Sequence, residues 1–255
     1  MPVTPSRTDD VAKQIASRFI ARKDAKAIQR KNGNYSPVRK DQWDSNSELI
    51  PWTMGDLRKH LSGESSYGHY LVSKENKAKL FAFDLDLDKT GKDEDGNDVA
   101  PRDIWSGPES EQKIQYRKQL RALGEGLAWR ARRLLDIPMA VAYSGNKGVH
   151  VYGFTGEMDA AEIRQVATEF LSSSVYERVN GENFWKHTHA YQHLTIEVFP
   201  KQGSITGEGF GNLMRLPLGK NAKGGESFFL DSLAPIEQML PMDPMEALLK
   251  GTLRG

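Results

Sequence analysis

At 255 residues the chain is long enough for one large domain or two close lobes. Its 35 Lys and Arg against 34 Asp and Glu leave a net charge of +1, which excludes nucleic-acid affinity through global charge alone. There are no cysteines, which excludes disulfides and thiolate zinc sites. No apolar run approaches the roughly 18 residues of a membrane span, and MPVTPSRTDD has no signal-peptide pattern. The expectation is a soluble, cytoplasmic protein, with a mean hydropathy of −0.60 that fits broad solvated surface or an open groove.

Residues 9–22 predict an amphipathic helix with Val11, Ile15, Phe19 and Ile20 on one side. Two short strands follow in KAIQRKNGNYSPVRK, turning at Asn32-Gly33. Thr53 caps a short helix, TMGDLRKHL, which Gly63 ends. YGHYLVS reads as a strand, and a polar KENK turn leads into FAFDLDLD, the first strand of a recognisable order. A loop, GKDEDGNDVAPRDIWSGP, precedes a long helix over residues 109–135. Then come the strand PMAVAYS, the turn GNKG, the strand VHVYGF, and a helix capped by Asp159. A looser stretch, SSSVYERVNGENFWKHTHAYQ, leads to the strand HLTIEVF.

This β-α-β-β-α-β order predicts an α+β fold, an RRM-like catalytic sheet with an N-terminal α/β lobe packed on it. Residues 1–75 form the expected lobe. Residues 76–255 form the core with a C-terminal extension, GNLMRLPLG and a helix over 243–250.

The acidic strand carries the chemistry. Its period of two puts Phe81, Phe83, Leu85 and Leu87 on one face and Asp84, Asp86 and Asp88 on the other. Carboxylates about 6–7 Å apart repel by roughly 2.5 kcal/mol per pair at an effective dielectric near 20. A metal ion, nearby basic side chains or protonation must offset this. With the first and third strands central, Glu197 on HLTIEVF faces the same surface, and three oxygen donors suit Mg²⁺ or Mn²⁺. DLDKTG also matches the first half of a calcium loop, although its twelfth position is Asn97 instead of Glu. In SGNKGVH, Gly145 and Gly148 let backbone N–H groups approach an anion, with Ser144 and Lys147 as donors and His150 within reach of a phosphate. Lys201 and Arg215 can neutralise phosphate charge.

Together, FAFDLDLD, SGNKGVHVYGF, and IEVFPKQ with GNLMRLPLG resemble the three catalytic motifs of the archaeo-eukaryotic primase superfamily. FIARKDAKAIQRKNGNYSPVR and HLSGESSYGHYLVS are similar to the N-terminal part of primase-polymerase domains from phage, plasmid and mobile-element proteins. The resemblance implies a metal-dependent, template-directed nucleotidyltransferase, a DNA primase or DNA polymerase. Asp84, Asp86 and Glu197 would bind two divalent ions, Mg²⁺ or Mn²⁺. Ser144, Lys147, Gly148, His150, Lys201 and Arg215 would hold the triphosphate. The implied partners are single-stranded DNA template, primer and nucleoside triphosphates, with a helicase domain as a neighbour in a longer replication protein. No zinc is expected, and Asp88 has no assigned role. Alanine at Asp84 or Asp86 is expected to abolish synthesis and leave the fold intact or slightly steadier.

Two rivals come from other classes. His187, His189 and His193 in HTHAYQH resemble the metal-binding histidines of rolling-circle nucleases, although Thr188 is central and no tyrosine follows Tyr191. Alternatively the sheet is a non-catalytic single-strand-binding module. Basic residues for template contact stand in KAIQRKNGNYSPVRK and RKQLRALGEGLAWRARRLL.

Overall fold

The amphipathic N-terminal helix forms as α1 (Pro5–Phe19) in the computed structural model, which describes residues 5–93, 95–207, 209–222 and 224–253. Its stripe of Val11, Ala12, Ile15 and Phe19 is buried. Strands β1 (Ala27–Gln29) and β2 (Tyr35–Pro37) form a hairpin around Gly33, whose φ of +88° is accessible to glycine at no steric cost. Helix α2 (Met54–Leu61) begins in a capping box: Thr53 Oγ1 accepts the Asp56 N–H at 3.2 Å, and the Asp56 carboxylate accepts the Thr53 N–H at 2.8 Å. Strand β3 (Tyr67–Tyr70) completes the contiguous part of this lobe.

The long acidic strand is β4 (Lys77–Leu87). Residues 91–106, expected as loop, hold a small hairpin, β5 (Gly91–Lys92) and β6 (Asp98–Val99), and a short helix, α3 (Pro101–Ser106). Two-residue strands carry no readable period. Their turn is organised by Asp93, whose Oδ1 accepts the N–H groups of Asp95 and Asn97 at 3.0 and 2.8 Å. The run from Asp86 to Asn97 is therefore strand end and hairpin, not a calcium loop.

Helix α4 (Glu111–Leu135), strand β7 (Met139–Tyr143), strand β8 (Gly148–Asp159) and helix α5 (Ala160–Ser172) follow in the expected order. The looser stretch then supplies two strands, β9 (Tyr176–Arg178) and β10 (Phe184–His187), before β11 (Leu194–Phe199). Their signal is weak because each is short and their connection is polar and glycine-bearing. Strand β12 (Leu213–Arg215), strand β13 (Phe228–Phe229) and helix α6 (Pro244–Lys250) end the described chain.

Among the described residues the main sheet runs β13-β7-β8-β4-β11-β10-β9, with the inner four strands antiparallel in the RRM-like order. A second sheet, β12-β3-β1-β2, carries the N-terminal lobe. Strand β12 joins it from far along the chain and sets Arg215 opposite Gly68.

The two faces of the main sheet explain where the site lies. One face is sealed throughout by α4 and α5, which bury Phe81, Phe83, Leu85 and Leu87 with Val149, Val151, Ile196 and Val198. The other face is covered only in part. Leu80 and Ala82 of β4, with Tyr152 and Phe154 of β8, pack beneath α1, and Phe19 meets both aromatic rings edge-on at 5.0 and 5.4 Å. Two residues further along β4 the apolar cover ends and Asp84 begins the open surface. No described helix is long and apolar enough to cross a membrane.

Candidate active site

Strand register assembles the site. Glu197 of β11 stands opposite Asp84 of β4, and Asp84 stands opposite His150 of β8, so one row crosses three adjacent strands on one face. The next row is Thr195, Asp86 and Gly148. Gly148 is required by contact. A Cβ there would lie 2.5 Å from the Leu85 carbonyl oxygen and 2.6 Å from Asp86 Oδ1. We expect Gly148→Ala to displace Asp86 and to cut any activity that depends on that carboxylate by about 10²-fold, the scale set by small misplacements of reacting groups. Wild-type activity in that variant would show that Asp86 needs no such room.

Each carboxylate has a basic side chain beside it. Lys147 Nζ donates to Asp86 Oδ2 at 2.9 Å, Lys201 pairs with Glu197, and His150 Nε2 lies 3.3 Å from Asp84 Oδ1. Burial pushes the Asp84 carboxyl up, but His150, with Lys147 and Lys201, outweighs it and holds the group below the usual carboxylate range. Burial and the neighbouring Asp84 charge push Asp86 up despite Lys147. Burial likewise raises Glu197 despite Lys201. The repulsion anticipated from the sequence is thus relieved in part by basic side chains, fully at Asp84 and incompletely at Asp86 and Glu197.

Asp88 leaves this group. Its carboxylate accepts from Thr195 Oγ1 at 2.6 Å and pairs with Lys186 of β10, so it ties β4 to the added strands.

The turn between β7 and β8 is held from behind. Ser144 Oγ accepts the Gly148 N–H at 3.2 Å, and the Asn146 carbonyl accepts from both Trp105 Nε1 and Tyr143 OH at 2.6 Å. Gly145, at φ +78°, has no room for a Cβ, which would sit 2.9 Å from the Glu226 carbonyl carbon. His150 Nδ1 shares a 2.8 Å hydrogen bond with the hydroxyl of the fully buried Tyr152, whose phenol burial keeps protonated. Tyr152 was not singled out from the sequence, although its position two residues after His150 puts it on the same face.

A 190 Å³ cleft collects Ser144, Lys147 and His150 beside Asp84 and Asp86, and Arg215 reaches it from the N-terminal sheet. Arg215 is buried, and its Nη1 has no hydrogen-bond partner among the described residues. A buried guanidinium nitrogen without an acceptor fits a site that receives an anion.

Among the described residues no three His, Asp, Glu or Cys side chains are gathered closely enough to hold an ion as they stand. The donor chemistry of Asp84, Asp86 and Glu197 nevertheless fits a hard divalent ion, three carboxylates on adjacent strands, with Lys147, Lys201 and His150 beside them. The histidines of HTHAYQH do not converge. His187 Nδ1 accepts the N–H groups of His189 and Ala190, both at 3.1 Å, while its ring meets Tyr176 and Tyr191 edge-on. His193 packs on Tyr116 instead. Their roles are in the turn that precedes β11.

The model of the family described as "TOTE conflict system, Archaeo-Eukaryotic Primase domain" matches residues 11–242. The chain belongs to this family. The match spans the N-terminal lobe, the acidic strand, the glycine turn and Arg215, so the whole of the site described above lies within the primase domain. Archaeo-eukaryotic primase domains are primase-like nucleotidyltransferases that bind nucleotides and nucleic acid and generally use divalent metal ions. No curated protein matches the chain.

Proposed function

We propose that this primase domain is a DNA-templated primase-polymerase that joins nucleotides by phosphoryl transfer. The observation that carries the reading is the row Glu197–Asp84–His150 with Arg215 beside it, whose buried Nη1 has no hydrogen-bond partner among the described residues: carboxylates on one side, anion donors on the other. The 3′-hydroxyl oxygen forms a bond to the α-phosphorus of a nucleoside triphosphate, the bond to the bridging oxygen breaks, pyrophosphate leaves, and the hydroxyl proton passes to solvent. Asp84, Asp86 and Glu197 would hold one or two Mg²⁺ or Mn²⁺ ions, which supply Lewis acidity toward the hydroxyl and the leaving pyrophosphate. Asp84, kept ionised by His150, is ready as a ligand without losing a proton. Ser144, Lys147, His150 and Arg215 bind and orient the triphosphate, and Lys201 adds charge from the Glu197 side. Tyr152 fixes the His150 ring. Positioning and electrostatics account for the rate, as phosphoryl transfer leaves little covalent work to the protein. The family's description as part of a conflict system supports a role in defence.

A denaturing gel on single-stranded DNA template tests this, with labelled nucleotides, with and without primer, in Mg²⁺, Mn²⁺ or EDTA. The expected result is metal-dependent product, and product without primer makes the protein a primase. Template binding that persists in EDTA with no nucleotide consumed would overturn the enzyme in favour of a binding module.

A further inference from the structure

Two clefts meet at Asp84 and Asp86, and Ser144, Lys147, His150 and Arg215 line only one of them. The other, of 430 Å³, lies toward β10 and takes its walls from Lys89, Arg102, Asn180 and Phe184 besides the carboxylates. Phe184 stands opposite Glu197 in the β10–β11 ladder and Glu197 opposite Asp84, so the ring shares their row and face. Two strand spacings put it about 10 Å from Asp84. Phe184 is half-buried, with Lys201 Nζ 5.7 Å from its centroid. On RRM-like sheets, aromatic side chains on the open face stack nucleic-acid bases. Such stacking tolerates any base, because every base has a π-face.

Direction adds a second argument. In-line displacement needs the attacking oxygen and the leaving group on opposite sides of the phosphorus. With the triphosphate on the His150 side of the carboxylates, the attacking hydroxyl must arrive from the other side, where this cleft lies.

Resting on the polymerase reading above, we propose that the Phe184 cleft binds the nucleotide that bears the free 3′-hydroxyl. Its base stacks on Phe184, its sugar faces Asp84 and Asp86, and Lys89 and Arg102 face its phosphate. That nucleotide is either the end of a priming strand or a free initiating nucleotide, which share this chemistry.

The test is equilibrium binding by fluorescence anisotropy to two probes: a labelled DNA hairpin with a recessed 3′ end, and a labelled α,β-methylene nucleoside triphosphate. Phe184→Leu keeps apolar bulk and removes the stack, and Phe184→Trp keeps the stack. Phe184→Leu is expected to weaken the hairpin about tenfold and to leave the triphosphate analogue within about twofold. Phe184→Trp should hold wild-type affinity for both. Competition by an unlabelled nucleoside monophosphate separates the sources. Phe184-dependent displacement of the hairpin assigns the cleft to an initiating nucleotide as well, and its absence assigns it to strand ends alone. Unchanged hairpin affinity in a folded Phe184→Leu protein, or a loss that falls on the triphosphate analogue, would overturn the assignment. The two readings fail separately. Primer extension with unchanged hairpin binding by Phe184→Leu sinks only the cleft, whereas the expected partition without any product sinks only the polymerase.

Discussion

Asp84→Asn and Asp86→Asn are each expected to abolish the proposed metal-dependent nucleotide incorporation, with losses on the order of 10³-fold or more, while moving stability in opposite directions. Both side chains stand on one strand and one face, yet their surroundings differ. Asp86 is pushed toward protonation by burial and by the charge of Asp84. A carboxyl whose folded pKa lies above its unfolded value destabilises the fold once ionised, and its contribution improves as the pH falls. Replacing it with a neutral amide should therefore hold or raise the melting temperature of the metal-free protein at pH 7. Asp84 is held below its usual range by His150, so its ionised form stabilises the fold above the unfolded pKa, and that contribution is lost as the pH falls through the folded value. Asp84→Asn should lower the melting temperature. The expectation from sequence treated the two aspartates alike, because the partner that separates them, His150, lies on another strand. Thermal melts in EDTA at pH 7, run beside the gel assay, check both halves. Equal shifts of one sign would show that His150 does not distinguish them, and retained incorporation by either variant would remove that residue from the site.

Arg215→Met is expected to separate binding from stability. The guanidinium is buried on β12, and its Nη1 finds no hydrogen-bond partner among the described residues. Leaving a buried polar or charged group unpaired is costly, and methionine has similar reach without that cost. The ligand-free protein should melt at the same temperature or higher. The same change removes a charged donor from the phosphate cleft, and hydrogen bonds to charged groups contribute about 1.5–3 kcal/mol, or roughly 10- to 150-fold in affinity. The predicted outcome is that triphosphate binding falls by that factor while the fold gains, a trade common where a site stores unmet polar capacity. Calorimetric titration with a non-hydrolysable triphosphate checks the first half, and a melt without ligand checks the second. If binding is unchanged, Arg215 is a packing residue of the N-terminal sheet.

The elements around the candidate site are legible in the residue pattern. The alternation of FAFDLDLD is long enough to specify a strand with one apolar and one acidic face, and the buried face is the one containing Phe81, Phe83, Leu85 and Leu87. The helix and strand order around it matched the β-α-β-β-α-β order of an RRM-like core, in which the first strand lies between the third and the fourth. Thr53 and Gly33 marked a helix start and a turn through local hydrogen bonding and backbone freedom, whereas Asp159, expected to cap α5 with its side chain, is taken by Lys77 instead. Tertiary structure alone decided who stands beside whom. Register set Glu197 and His150 on either side of Asp84, although they are distant in sequence. Pairing of β12 with β3 carried Arg215 across to the cleft beside Asp84 and Asp86, and pairing of β10 with β11 placed Phe184 on the open face. Lys186 and Thr195 gave Asp88 a structural tie that no local pattern signals. A period of two tells which face a side chain takes. Which cation, ring or carboxylate meets it there depends on long-range pairing, whose energy comes from burying both sides of the sheet and leaves no trace in neighbouring residues.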